Sequence, residues 1–369
     1  MVGAERELDP VGDHEQEGGA VPKLEGRHAA VLKAIVQGYV RDGEPLSSKR
    51  LVEEWDLGVS AATVRSDMVA LEEAGLIAQP HTSSGRIPTD SGYRYFVDSL
   101  RDDAHPQPEH RAALEGLMLG AADLEDLLRR ATGVLSEVTK FASLVAAPRL
   151  DRSRLRHIEL VQLAPTSVLL IFIADTGRVE KRMLDSGEPV AEHDVQRARY
   201  VLNDAVTGVR MANVGDVIQG VATGAPDELS GLLDVVADAV QATLAAHRSA
   251  GEHVFVGGTA NIAGPAYFDR LEQVKQVYEA IEEQVVLLEV LQGALEGGDP
   301  AVRIGGELPL VELAACSVVA AGYHAGLENG GSVGVLGPTR MDYPRTLGAV
   351  EAVASSLEKA LAELTGSRS

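Results

Sequence analysis

The chain has 369 residues with 33 basic and 55 acidic side chains, a formal net charge of -22 at pH 7, and a composition 45% hydrophobic and 24% charged. Such a length supports two to three domains at roughly 150 residues each, and the acidic balance excludes a surface that binds polyanions indiscriminately. The longest uninterrupted apolar runs fall short of the ~20 residues of a membrane helix, so a soluble protein with no membrane partner is expected.

Residues 1–23 hold six acids and four glycines among few large apolars, a composition that predicts a disordered acidic tail. The opening MVGAERELDP has acids where an export signal carries bases, which favours the cytoplasm. From Leu24 to Asp102 nine basic and twelve acidic residues leave only -3 of the total charge. Here Val31, Ile35 and Tyr39, joined by Leu32, Val36 and Val40, predict a first helix that Asp42-Gly43-Glu44-Pro45 stops. Ser47 or Ser48 caps a short second helix running to Trp55. Val59 and Ser60 read as staple and N-cap of a third, with Val64, Met68 and Leu71 in helical register up to Gly75. Leu76 to Pro80 and Arg86-Ile87-Pro88 then flank the polar loop His81-Thr82-Ser83-Ser84-Gly85 as a small hairpin. Thr89 or Asp90 caps a fourth helix through Leu100, and Asp102 to Pro108 has linker composition.

Beyond the linker, helical periodicity is read up to about Ala146. His157 to Leu163, Val168 to Ala174 and Val179 to Leu184 predict an antiparallel meander, and residues 190–247 are mostly helical. Residues 251–264 are glycine-rich around Val254-Phe255-Val256. Leu271, Val274, Tyr278, Ile281, Val285 and Leu288 alternate steps of three and four along one long helix. That is the seam of a coiled coil, packed either within its own domain or against a second subunit. Strands follow at Ala301 to Ile304, Ser317 to Tyr323 and Ser332 to Leu336, then an amphipathic helix from Tyr343 to Leu364. The expected class is α+β multidomain: a unit at 24–102, a sheet domain in two parts at 109–188 and 300–369, and a mostly helical insert at 189–299.

Two helices, a tight turn and a hairpin make a winged helix-turn-helix, whose third helix fits the DNA major groove. Ser60, Ala61, Ala62, Thr63, Arg65 and Ser66 occupy its first turns without an acid among them, and Glu72 and Glu73 come later. Arg65 can offer a two-pronged donor to guanine, worth ~1–3 kcal/mol of discrimination. Ser48, Lys49 and Arg50 sit at a helix start suited to phosphate. His81, Thr82, Ser83, Ser84 and Arg86 suit the minor groove or its flanking phosphates, and Arg94 another phosphate. Gly330-Gly331-Ser332-Val333-Gly334 has the spacing of a hydrolase nucleophile elbow, with His324 and Asp342 nearby, but Ser332 opens a strand-like run rather than a strand-to-helix turn. No metal, cofactor or catalytic motif is read. Cys316, the single cysteine, lies in the apolar stretch Leu313 to Val319 and reads as a buried structural thiol.

The runs Leu32-Lys33-Ala34-Ile35-Val36, Gly43-Glu44-Pro45, Leu57 to Arg65, Gln79 to Thr89 and Gly92 to Asp98 resemble the HrcA family of heat-inducible transcription repressors. Weaker likeness continues through His157 to Val161 and Gly334 to Pro344. The resemblance implies a homodimeric repressor of chaperone genes, with a winged-helix domain and a GAF-like domain interrupted by a dimerising insert. It also implies an inverted-repeat operator in double-stranded DNA upstream of chaperonin operons, and a GroEL chaperonin that keeps the repressor competent until heat diverts it. Four positions depart from the family pattern. Ala61 replaces a proline at the first helical position, Ser66 replaces an asparagine able to pair with adenine, and Glu25-Gly26 replaces the usual opening of the first helix. A regulator answering to a small ligand in the GAF-like domain is the alternative.

Overall fold

The computed structural model describes residues 24, 26–81, 84–100, 120–250, 253–263, 268, 271–295, 300–325 and 329–366, so the expected tail at 1–23 and linker at 102–108 lie outside the described residues. Four helices and a short hairpin form the first unit: α1 (Arg27–Asp42), α2 (Ser48–Glu54), α3 (Ala61–Glu73), β1 (Ile77–Ala78), β2 (Ile87–Pro88) and α4 (Asp90–Leu100). The local signals act as read. Gly43 takes φ 75° after α1, the Ser47 and Ser60 side chains cap α2 and α3, and Gly75 takes φ 72° after α3. Each hydroxyl cap satisfies an otherwise orphaned amide, worth about 1 kcal/mol. Val31, Leu32, Ile35, Val64, Leu71 and Tyr93 close one core between these helices.

The remainder comprises α5 (Leu124–Thr139), β3 (Ala142–Ala146), β4 (Leu155–Ala164), β5 (Ser167–Ala174), β6 (Val179–Asp185), α6 (Glu192–Val206), α7 (Met211–Gly224), α8 (Asp227–Ala250) and β7 (Val254–Gly257). It continues with α9 (Leu271–Glu282), α10 (Gln284–Leu295), β8 (Ala301–Ile304), β9 (Cys316–Ala325), β10 (Asn329–Pro338) and α11 (Tyr343–Thr365). Two further sheets result, both antiparallel: five strands in the order β7-β3-β10-β9-β8, and the meander β4-β5-β6. The whole is a mixed α/β structure. Helices α5 and α11 cover one face of the five-stranded sheet and α9 and α10 pack on the other. The helix α8 has the length and apolar composition of a membrane span, but Leu229, Leu233, Val236, Val240 and Leu244 bury its apolar side against the meander and its helices.

Three expectations meet the structure as follows. Helical character does not run to Ala146: Lys140, at φ 62°, ends α5, and Ala142–Ala146 is a strand buried on both faces. A doubly buried strand is a continuous apolar run with no period of its own to distinguish it from helix. The meander shares a single core with α6, α7 and α8, from Leu150 to Leu244, so the expected division at 188/189 falls inside one packed body. Finally, the long seam helix is two helices broken at Glu283. Ile281 and Leu288 bury against the five-stranded sheet and Tyr278 donates its hydroxyl to the Thr259 carbonyl, whereas Val274 is half-buried and Leu271 and Val285 face outward. The break throws the three-four spacing out of register, so these six side chains do not form one stripe.

Candidate nucleic-acid interface

The third helix presents its N-terminal half to the outside because its other half is held from behind. Val64, Met68 and Leu71 are buried, and between them Asp67 accepts from Arg27 Nε at 2.6 Å and Nη2 at 3.0 Å, with His28 Nε2 at 3.3 Å. The Arg27 guanidinium holds the Asp67 carboxyl below the usual carboxylate range, against the opposing cost of its burial. Ser60, Ala62, Arg65 and Ser66 are exposed, with Ala61 and Thr63 half-buried beside them. Ser60 Oγ accepts from the Thr63 amide at 3.3 Å and lies 3.0 Å from Thr63 Oγ1, so the first turn is organised before anything binds. Among the described residues Arg65 has no ion-pair partner, and no carboxylate of α3 stands beside it on the exposed half.

The hairpin is drawn in beside this face. Leu46 and Arg86 exchange backbone hydrogen bonds of 3.0 and 2.8 Å, and a Cβ on Gly85 would strike the Leu46 backbone, so only glycine permits the approach. Ser84 Oγ accepts from the His81 amide at 3.0 Å and donates to the His81 carbonyl at 2.6 Å, closing the loop; Thr82 and Ser83 lie outside the described residues. Arg86 Nε and Nη2 reach Glu72 Oε2 at 3.0 and 2.8 Å, tying the hairpin to α3.

The face thus assembled contains Ser60, Ala61, Ala62, Thr63, Arg65, Ser66, His81 and Ser84, with Lys49 almost fully exposed at α2. Other expected contacts are spent internally. Ser48 is buried, and Arg50 lies among Asp42, Glu44 and Glu54, with Nε 2.6 Å from Glu54 Oε1. Arg86 serves Glu72. Arg94 turns to the sheet: its Nε donates to Glu307 Oε1 at 2.8 Å and its Nη2 to the Val302 carbonyl at 2.7 Å. In this structure a partner carboxylate or burial engages each of these four side chains. Sequence reasoning missed Asp67 and Arg27. The signal was present, since Asp67 falls on the buried stripe of α3 between Val64 and Leu71, where a charge needs a partner.

The elbow spacing around Ser332 resolves as strand: Ser332 is buried in the middle of β10, paired with Ala146 and Gly322. Cys316 is buried at the start of β9, and burial pushes its thiol up to about 12. A cavity of about 920 Å³ opens between α5, β6, α8 and α10, where Arg149 is paired with Asp151 and Arg178 and His247 with Glu180.

Comparison with known proteins follows the same line. The family profile described as "HrcA protein C terminal domain" matches residues 125–347. A protein of Streptomyces avermitilis named "Heat-inducible transcription repressor HrcA" is 45% identical over 92% of this chain and 99% of its own length. One of the same name from Frankia casuarinae is 44% identical over 93% and 99%. A crystal structure of a protein called hypothetical has a TM-score of 0.65 at 23% identity, covering 93% of this chain and all of its own, which speaks to the fold alone.

Proposed function

The chain belongs to the HrcA family of heat-inducible transcription repressors, and from that premise we propose that it silences heat-shock genes by seating α3 in the major groove of double-stranded DNA. In this reading the first unit is a winged helix-turn-helix and β1-β2 is its wing. The observation that carries the reading is the acid-free exposed half of α3, where an unpaired Arg65 stands beside Thr63 and Ser66 on a helix anchored from behind by Asp67. Arg65 and Ser66 address base edges, Thr63 and Ser60 phosphate or base, and Lys49, His81 and Ser84 the backbone.

The protein acts as a homodimer on an inverted repeat, with two α3 helices about 34 Å apart or a multiple of it. The five-stranded sheet is the GAF-like body and the 150–250 unit is the dimerising insert. Its meander supports that assignment: one face is packed on α6 to α8, while Val161, Leu163, Val179 and Met183 are exposed on the other, with Val161 and Met183 both in register with Leu169. An uncovered apolar sheet face of this kind suits a second copy better than water. The operator lies upstream of chaperonin genes, GroEL maintains the competent dimer, and warming depletes it by mass action.

Competition gel shifts on duplexes selected from a random pool test the reading. Arg65→Ala is expected to lose ~5- to 150-fold of the preference for the selected repeat over random DNA, the worth of a two-pronged guanine contact. Equal preference in wild type and variant overturns the assignment of α3. Selection repeated with and without GroEL tests the chaperonin's part, which fails if affinity and active fraction are the same in both.

A further inference from the structure

Contacts from two helices, α4 and α1, which lie on either side of α2 and α3 in the chain, join the first unit to the five-stranded sheet across one continuous apolar core. From α4, Arg94 forks onto Glu307 and the Val302 carbonyl, Asp90 Oδ2 accepts from the Gly306 amide at 3.1 Å, and the Tyr93 ring lies 5.8 Å from that of Tyr343. From α1, Tyr39 lies under the Arg340 guanidinium at 5.7 Å, and Arg340 fills the space that a Cβ on Gly43 would need. The α4 contact is braced on both sides. Gly92 presses α4 against the Leu76 carbonyl, while Glu307 Oε2 also accepts from the Ile304 amide at 3.0 Å. Held from two of its helices, the first unit is set at one angle to the sheet.

Resting on the dimeric reading above, we propose that Arg94 and Glu307 are positioning residues for operator recognition: they touch no DNA, and they hold α3 at the angle that lets both copies meet an inverted repeat in register. A single half-site asks nothing of that angle, whereas two half-sites at fixed spacing demand it. Spacing is therefore the readout that a merely stabilising ion pair leaves alone.

Binding is measured by fluorescence anisotropy on three duplexes built from the wild-type selected sequence: one half-site, the repeat, and the repeat with its spacer lengthened by half a helical turn. Wild type is expected to favour the repeat over the lengthened form by tenfold or more. Arg94→Lys and Glu307→Gln, chosen to spare folding, are expected to reduce that preference at least fivefold while single half-site affinity stays within twofold. The companion measurement uses spin labels at Glu73→Cys on α3 and Ser355→Cys on α11, with the buried Cys316 left unlabelled; the distance distribution is expected to be narrow in wild type and to broaden in either variant. Retained spacing preference with an unbroadened distribution overturns the proposal. So does equal weakening on all three duplexes, which would place Arg94 on DNA. A wild type indifferent to spacing instead sinks the dimeric reading and the proposal with it, and the distance measurement then shows whether the contact still sets the angle.

Discussion

Removing one oxygen atom from each of two neighbouring tyrosines should shift stability in opposite directions. Tyr93 is 3% exposed, and its hydroxyl, among the described residues, has no hydrogen-bond partner. Burial also pushes its phenol well above the usual range. In the unfolded chain that hydroxyl is hydrated, so folding strips it without replacement, at a cost of ~1–3 kcal/mol. Tyr93→Phe keeps the ring, its tilt of 51° on Tyr343 and its apolar packing. The variant should be more stable by about 1 kcal/mol. Tyr343 is equally buried, but its hydroxyl lies 2.8 Å from Ser317 Oγ and donates to the Thr339 carbonyl at 2.7 Å. Tyr343→Phe leaves both partners unsatisfied, Ser317 being fully buried, and should cost ~1–3 kcal/mol. Urea unfolding with unchanged slope is the assay, supported by thermal midpoints that move ~2–4 °C per kcal/mol in a unit of this size. A Tyr93→Phe midpoint that falls as far as that of Tyr343→Phe would refute the reasoning, since it would mean the Tyr93 oxygen is satisfied.

Asp67 should give the first unit an acid limb. Its carboxyl is depressed in the fold by Arg27, so the associated stability is present above the unfolded value of ~3.9 and lost as pH falls through the lower folded value. Asp67→Asn should flatten that limb in circular dichroism, and an unchanged limb assigns the acid sensitivity elsewhere. Lys49→Ala should weaken binding to all duplexes alike and reduce the slope of log affinity against log salt by about one; an unchanged slope removes Lys49 from phosphate. Gly92→Ala drives a methyl into the Leu76 carbonyl and should cost about 1–3 kcal/mol of overpacking strain, read as a lower urea midpoint. Met183→Glu places a charge on the open meander face and should shift sedimentation toward monomer at unchanged fold, whereas an intact dimer moves the interface off that face.

What was legible in the sequence is what is local. Ser60 caps α3 because its hydroxyl reaches an amide three residues on, and Gly43 and Gly75 end helices because their own backbone allows positive φ. The α3 face followed directly from such signals. Arg94 shows the limit: an exposed-looking arginine on an amphipathic helix reads as free, and its partner Glu307 lies 213 residues away. The partners of Arg50 and Arg86 were hidden for the same reason at shorter range, each a carboxylate that the fold brings near. The strand β3 was hidden because burial on both faces erases its period. That the meander takes α6 to α8 as its cover was hidden too, since pattern alone does not rank a choice between apolar faces.

The charge distribution ties these details to regulation. Of the net -22, only -3 belongs to Leu24 to Asp102, so a polyanion meets the least repulsion at the first unit. Even there Arg50 and Arg86 are neutralised at home and the exposed Lys49 stands 3.7 Å from Glu53, which leaves Arg65 as the exposed cation of α3 without an ion pair among the described residues. Non-specific affinity grows with each phosphate neutralised, so a copy holding few free cations binds random DNA weakly and a lone half-site little better. On the proposed reading, useful affinity then comes from two copies held together, where the second contact is made at high effective concentration. Occupancy of the operator would follow the dimer population steeply, and any condition that thins the dimers, warming included, would empty the operator before a single copy has unfolded.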